Sequence, residues 1–227
     1  MCWRRERVLR INATAKIGII RVLTTDDIHL LNMHGTLIEA LFPNLDVVSR
    51  CIPNHPKGVY NSETEASAGP LVVRLAREFE AENCSAVIIS CASDPGLDMA
   101  RKNVGIPVIG AGEAAALLGR AFGRKVGVLG IGSSTPKRME RILGDLLVGY
   151  SKPEGVENTT NLLTAESQRA VLDAGLKLKQ AGAEVIVLAC TGLSTAGSAA
   201  LLSKVTGLRV VDAVQAAGFL AYYAVTF

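Results

Sequence analysis

The sequence predicts an α/β fold of two pseudo-symmetric lobes, each built on a mainly parallel sheet, with an active-site cleft between them. Three observations carry this. Short aliphatic runs alternate with amphipathic stretches along the whole chain, the pattern of parallel strands joined by right-handed helical crossovers. Hydrophobic residues make up 49% of the chain but aromatics only 4%, so the core is mostly Ala, Val, Leu and Ile, as suits strands covered on both faces. The order of elements then begins again half-way along.

Taken in order, Lys16–Leu23 is an apolar strand, and Thr25 or Asp26 caps a helix running to about Leu41, stopped by Pro43. Asp46–Cys51 is the next strand. Pro53, Pro56 and Gly58 mark Ile52–Ala68 as a loop, and a helix from Pro70 to Asn83 follows. Ala86–Ser90 is a strand ending at Cys91. A short helix, a strand at Pro107–Ile109 and a helix at Glu113–Phe122 complete this half.

The second half opens with Lys125-Val126-Gly127-Val128-Leu129, which echoes Lys16-Ile17-Gly18-Ile19-Ile20. Helices are expected at Pro136–Leu147 and Thr164–Ala181, then a strand, Val185–Leu188, reaching Cys190. Val108–Ala115 is answered by Val210–Ala217. The hydroxyl pairs Thr24-Thr25 and Ser133-Ser134 lie 109 residues apart, and Cys91 and Cys190 lie 99 apart. This is the mark of a duplicated α/β unit. The first lobe is expected over 1–120 and the second over 121–212.

Composition excludes several classes. A net charge of +3, dispersed along the chain, gives no footprint for nucleic acid, and Arg4, Arg5 and Arg7 read as a solvated N-terminus. No apolar run is long enough to span a membrane, and the first residues lack the apolar segment of a secretory signal, so the expectation is a cytoplasmic protein. Five cysteines without CxxC spacing suggest neither a disulfide framework nor a zinc site. Cys2, Cys51 and Cys84 read as bystanders or small buried hydrophobes. His29 and His34, five apart on one helix, do not share a face and read as no ligand pair, and His55 falls in a surface loop.

Cys91 and Cys190 stand apart because both end buried strands and precede segments able to begin a helix, Pro95–Met99 and Ser194–Ala199. Ligands bind at the carboxyl ends of strands in open α/β sheets. Two thiols on facing lobes can act as opposed acid and base, one removing a proton from carbon and the other returning it to the opposite face. Around them, Ser93, Thr191 and the N–H groups near Gly192 are suited to hold a carboxylate or carbonyl oxygen, and Asp94 to orient a substrate N–H. Thr24, Thr25, Ser133, Ser134 and Thr135 end strands and open helices, where they serve as substrate contacts or N-caps. Gly110-Ala111-Gly112-Glu113-Ala114-Ala115 fits G-x-G-x-x-A between a strand and a helix. It lacks the acidic residue about twenty positions on that a dinucleotide site needs, so no cofactor and no metal is expected.

Cys91-Ala92-Ser93-Asp94-Pro95-Gly96 resembles the Cys-x-x-Asp-Pro-Gly stretch of the hydantoin racemase branch of the Asp/Glu/hydantoin racemase superfamily. Val185–Gly192 is similar to the superfamily's second cysteine segment, and Val211-Asp212 to its closing strand-to-helix junction; the likeness runs from about Lys16 to Ala217. It implies two flavodoxin-like lobes, with a C-terminal helix, Ala213–Val225, crossing back to the first. It also implies cofactor-independent racemisation with Cys91 and Cys190 as the two bases, a small-molecule substrate, and a homo-oligomer. The branch's Asn-Pro-Asn-Thr-like turn is replaced by Leu23-Thr24-Thr25-Asp26, or aligns instead with Asn12-Ala13-Thr14. That leaves aspartate/glutamate-type and maleate-isomerase-like chemistry open beside a 5-substituted hydantoin. From other classes stand a non-catalytic two-lobed binding protein and a redox dithiol.

Overall fold

A computed structural model describes residues 14–227. The N-terminal candidates Cys2, Asn12 and Ala13, with Arg4, Arg5 and Arg7, lie outside the described residues; Thr14 is exposed. Two four-stranded sheets, all parallel, form the frame. In chain order the first half contains β1 (Ala15–Arg21), α1 (Ile28–Leu41), β2 (Leu45–Cys51), α2 (Ser62–Ala81), β3 (Ala86–Ser90), α3 (Leu97–Asn103), β4 (Val108–Gly110) and α4 (Ala111–Phe122). The second half contains β5 (Val126–Leu129), α5 (Lys137–Leu143), β6 (Leu147–Ser151), α6 (Ala165–Gln180), β7 (Val185–Leu188), α7 (Gly192–Thr195), α8 (Ser198–Thr206), β8 (Arg209–Val211) and α9 (Ala213–Thr226). The strand orders are β2-β1-β3-β4 and β6-β5-β7-β8. The same topology occurs twice, so the repeat read from the sequence is a repeat of structure.

The two sheets share one core. Ile17, Ile19 and Ile88 of the first sheet and Val126, Val128, Val185 and Val187 of the second belong to a single buried cluster with α4 and α9. Each of these helices packs on the opposite half: α4 lies on β7 and α5, while α9 lies on β1, β3, β4 and α1. Glycines permit the close approach. A Cβ at Gly119 would stand 2.4 Å from Val187, and one at Gly218 would stand 2.9 Å from Ile38. The outer face of the first sheet is covered by α2, around Phe79, and that of the second by α6 and α8, around Leu178 and Leu202.

Four expectations need correction. The first cap of α1 is Asp27, not Thr25 or Asp26: its carboxylate accepts from the N–H groups of His29 and Leu30. Helix α2 begins eight residues before Pro70, because Asn61 and Thr64 form a reciprocal capping box. Pro70 cannot donate to the carbonyl of Ala66, but both residues are exposed, so the freed carbonyl is open to solvent. The expected helix Pro136–Leu147 ends at Leu143, where Gly144 takes a positive φ of 52°, and an edge strand, β6, follows after a turn of 3₁₀ helix. His55 is buried, not on a surface loop; its ring bonds the Pro53 and Thr64 carbonyls and the Ser67 hydroxyl.

Candidate active site

Both sheets bring their strand ends to one cavity of about 700 Å³. In each sheet the first and third strands of the half are neighbours, so the crevice opens where the strand order reverses, the usual place for a ligand. The floor holds Arg21, Ser90 and Cys91 from the first half, with Ala189, Cys190, Thr191 and Gly192 from the second. Ser133, Ser134 and Thr135, after β5, line a second-half wall together with α5, while the N-terminal half of α2 lines the other side.

The two thiols are free and lie at equivalent positions, one residue beyond β3 and two beyond β7. Cys91 Sγ is 3.4 Å from Ser93 Oγ and also faces the Ser93 N–H. Cys190 faces the N–H groups of Gly192 and Leu193 at the start of α7, and the Thr159 hydroxyl. These donors favour a thiolate in each case, yet desolvation outweighs them. Burial pushes the Cys91 thiol up to about 12, helped by the nearby Cys190 and Asp94 charges, and pushes the Cys190 thiol up as well. Both groups are therefore mainly protonated at neutral pH, and a base strong enough to take a carbon-bound proton is formed when either ionises.

Several predicted contacts are elsewhere occupied. Thr24 and Thr25 are not among the residues lining the cavity. The Thr24 hydroxyl donates to the Ile52 carbonyl (2.7 Å) and accepts from the His55 N–H (2.8 Å), while Thr25 accepts from the Asp27 N–H. They tie down the Pro53–Pro56 loop and the entry to α1, because a chain leaving a strand must find partners for its freed backbone groups. Asp94 borders the cavity but turns its carboxylate away from it. Its two oxygens accept from the N–H groups of Gly112 (2.9 Å) and Glu113 (2.7 Å), so it caps α4, and its side chain is fully buried. Burial still pushes its carboxyl up to about 7.

This cap also explains the glycine motif. A Cβ at Gly112 would stand 2.0 Å from the Ala92 carbonyl, and one at Gly110 would stand 2.5 Å from Asp94. Where a dinucleotide site receives a phosphate at the helix N-terminus, this chain inserts its own carboxylate. The second half does the same from a different position: Asp212 accepts from the N–H groups of Val214 and Gln215 and from the Ser194 hydroxyl.

Thr191 is buried and donates to the Ser90 carbonyl at 3.2 Å, while Ser133 and Ser134 remain exposed on the cavity wall and Thr135 is buried there. Three residues at the site, Tyr150, Thr159 and Arg138, carry no motif signal in the sequence, and Arg21 shows there only as a basic residue close to the first strand end. Tyr150, on β6, donates to the Gly132 carbonyl at 2.8 Å and so holds the turn leading to Ser133. Burial, with the Cys190 charge nearby, raises its phenol. Thr159 was invisible because it lies in an irregular stretch, although the Asn158 box that starts its 3₁₀ turn is a local signal. Arg138 meets Asp98 (2.5 Å) and Glu113 (3.1 Å), with Asp94 at 4.0 Å. Arg21 is buried at 2% exposure, gives Nη1 to the Leu30 and Leu31 carbonyls, and has no ion-pair partner among the described residues. Desolvation lowers it to about 10.

Among the described residues no cluster of three or more His, Cys, Asp or Glu side chains is arranged to hold a metal, and no helix is long and apolar enough to cross a membrane.

The family model described as Asp/Glu/Hydantoin racemase matches residues 17–218. The chain is 32% identical over 210 residues to a hydantoin racemase of Rhizobium meliloti, covering 84% of this chain and 85% of that one. It is 29% identical over 197 residues to a hydantoin racemase of Paenarthrobacter aurescens, covering 81% and 76%. Among solved structures, allantoin racemase from Klebsiella pneumoniae superposes with a TM-score of 0.79 at 21% identity, covering 92% of this chain and 86% of that one. Glutamate racemase from Thermus thermophilus does so with a TM-score of 0.62 at 15% identity, covering 93% and 80%. These likenesses in structure bear on the fold alone.

Proposed function

The chain is an isomerase of the Asp/Glu/hydantoin racemase family, and from that premise we propose that it inverts a carbon next to a carbonyl by proton transfer between Cys91 and Cys190, with 5-substituted hydantoins as substrates and no cofactor. One observation carries the reading. Two thiols, Cys190 buried and Cys91 part-buried, stand at equivalent strand ends of the two sheets, on the floor of one cavity, each among its own hydrogen-bond donors.

The chemistry suits those groups. The proton at C5 of a hydantoin is acidic because the resulting carbanion spreads onto the adjacent carbonyl. One thiolate removes it, and the second thiol delivers a proton to the opposite face, so each turnover exchanges which sulfur is protonated. Ser93 and the serines of the 133–134 turn are the donors available to the enolate oxygen. An uncharged ring is supported over a free amino acid by the pairing of Arg138, which is part-buried on the cavity wall. Its guanidinium is already shared among Asp98, Glu113 and Asp94. The names of the two curated relatives support the same substrate class.

The test is a panel of single-enantiomer 5-substituted hydantoins, aspartate and glutamate in deuterated water. Inversion of a hydantoin is expected, with one deuteron in each inverted molecule and none at first in the remaining starting enantiomer. Turnover of the amino acids alone would transfer the reading to that substrate class. Binding of a hydantoin without exchange would support a non-catalytic binding protein instead.

A further inference from the structure

Helix α1 places one imidazole where the two halves of the molecule meet. His34 is 1% exposed. Its Nδ1 is 2.7 Å from the Ser90 hydroxyl and its Nε2 is 2.9 Å from the Thr195 hydroxyl, and the ring also bonds the backbone of Thr191. Ser90 immediately precedes Cys91. Thr191 immediately follows Cys190, and Thr195 lies one helical turn further on. The direct bond from the Thr191 hydroxyl to the Ser90 carbonyl closes the ring of contacts.

We propose that His34 is a positioning residue that fixes the separation of the two thiols, by tying the residue before Cys91 to the residues after Cys190. This rests on the two-thiol reading above. The tie is made by an uncharged ring between two hydroxyls. In the neutral ring one nitrogen donates and the other accepts, and a hydroxyl on each side can meet either arrangement. Burial and the neighbouring Arg21 guanidinium hold the ring well below the usual histidine range, which keeps this neutral form. Arg21 in turn gives Nη1 to the Leu30 and Leu31 carbonyls and so fixes the first turn of α1 against the end of β1. The half of the tie through Nδ1 stays within the first half of the chain. Only the half through Nε2 crosses to the second.

That asymmetry yields a discriminating test. In His34→Gln the amide nitrogen reaches the place of Nε2, whereas in His34→Asn the amide reaches only the place of Nδ1. Inversion needs both thiols at their correct distance from one carbon, but exchange of the Cα hydrogen on one face needs one. In His34→Leu, inversion of a single-enantiomer hydantoin should fall about 10²-fold, the cost of a misplacement near 1 Å, with KM little changed. Exchange into the starting enantiomer, not seen at first in the parent, should rise relative to inversion. Gln should recover part of the inversion and Asn should not. A loss of folded protein would reduce exchange and inversion by the same factor. An unchanged ratio of exchange to inversion in the Leu variant would overturn the proposal, as would equal behaviour of Gln and Asn. Should leucine prevent folding, Thr195→Val and Ser90→Ala each remove one hydroxyl, and the same ratio decides.

A second readout needs no turnover. A short bis-alkylating thiol reagent should join Cys91 to Cys190 in the parent chain, as read by mass spectrometry, and less efficiently in His34→Leu and His34→Asn. Equal yields in all variants would overturn the tie. Failure of the parent reading shows separately, as inversion that survives Cys91→Ser and Cys190→Ser.

Discussion

The Thr191 hydroxyl donates to the Ser90 carbonyl at 3.2 Å, a bond between residues 101 positions apart in the chain. Each partner adjoins a cysteine. The bond forms because β3 and β7 are the third strands of two sheets that present their carboxyl ends to one cavity. Strand ends leave backbone carbonyls without ladder partners, and here each half supplies what the other lacks. The thiols are thus held by the fold itself, not by mobile loops, and the predictions below follow from that.

Cys91→Ser and Cys190→Ser should each abolish inversion, by about 10³-fold or more, because a serine hydroxyl is too weak an acid to supply or receive the proton at useful rates. Each variant should retain slow Cα exchange, and the two should prefer opposite enantiomers. Chiral chromatography combined with mass spectrometry in deuterated water checks this. Near-normal inversion in either variant would end the two-base mechanism.

The pH dependence of kcat/KM should be bell-shaped and displaced to alkaline pH. Burial raises both thiols, Cys91 to about 12. The base must lose its proton, so the rate should climb as pH rises from about 6 to 9, while the partner thiol stays protonated over the same range. The two apparent values belong to the pair and not to one sulfur. A rate that is flat or falling across that interval would contradict this arrangement.

Asp94 should make stability depend on pH in an unusual direction. Its carboxyl is raised to about 7 from the ordinary 3.8, so the folded chain binds this proton more tightly than the unfolded one. The stability linked to that proton is present below the ordinary value and is lost as pH rises through about 7. Urea unfolding of the parent chain and Asp94→Asn between about pH 4 and 8 checks it: relative to the variant, the parent should weaken as pH rises. Parallel curves would refute it. Asp94→Ala, which removes the cap of α4 altogether, should cost about 1–2 kcal/mol.

Gly112→Ala should be strongly destabilising although alanine is the better helix former. The added Cβ would stand 2.0 Å from the Ala92 carbonyl, which is backbone and cannot swing aside. A cost of about 3 kcal/mol is expected from overpacking, read as a fall in Tm of about 5–10 °C. Activity should fall with it, since the displaced segment carries Cys91 and Ser93. Unchanged thermal stability would mean that the contact is relieved at no cost.

Much of the frame was legible from local patterns. Runs such as Ala86–Ile89 and Val185–Leu188 are aliphatic without alternation because both faces of these strands are covered. Helices α6 and α9 begin at the side chains that cap them, Thr164 and Asp212, each visible before its apolar face. Strand β6 was missed because it is an edge strand, part-buried over Leu147–Tyr150, and the residues before it carry a helix period up to Gly144. The repeat itself held the missing signal, since β2 predicts a strand in the corresponding part of the second half. The start of α2 was hidden because proline at position 70 reads as a first turn, whereas an exposed turn tolerates it inside the helix.

The sequence by itself determined most of the strands and helices, that the unit occurs twice, and that the two cysteines end equivalent strands. Those are properties of short segments, set by side-chain periodicity and by backbone conformations that glycine, proline and capping side chains prefer locally. Only the tertiary structure decided which polar groups face the cavity. Asp94, Thr24 and Thr25 stand beside it in the chain yet spend their oxygens on buried backbone N–H and carbonyl groups, while His34, Tyr150 and Thr159, from distant segments, converge on the thiols. A polar side chain buried in a folded protein goes to whichever unpaired backbone group comes within reach, and that reach is fixed by packing across the whole molecule.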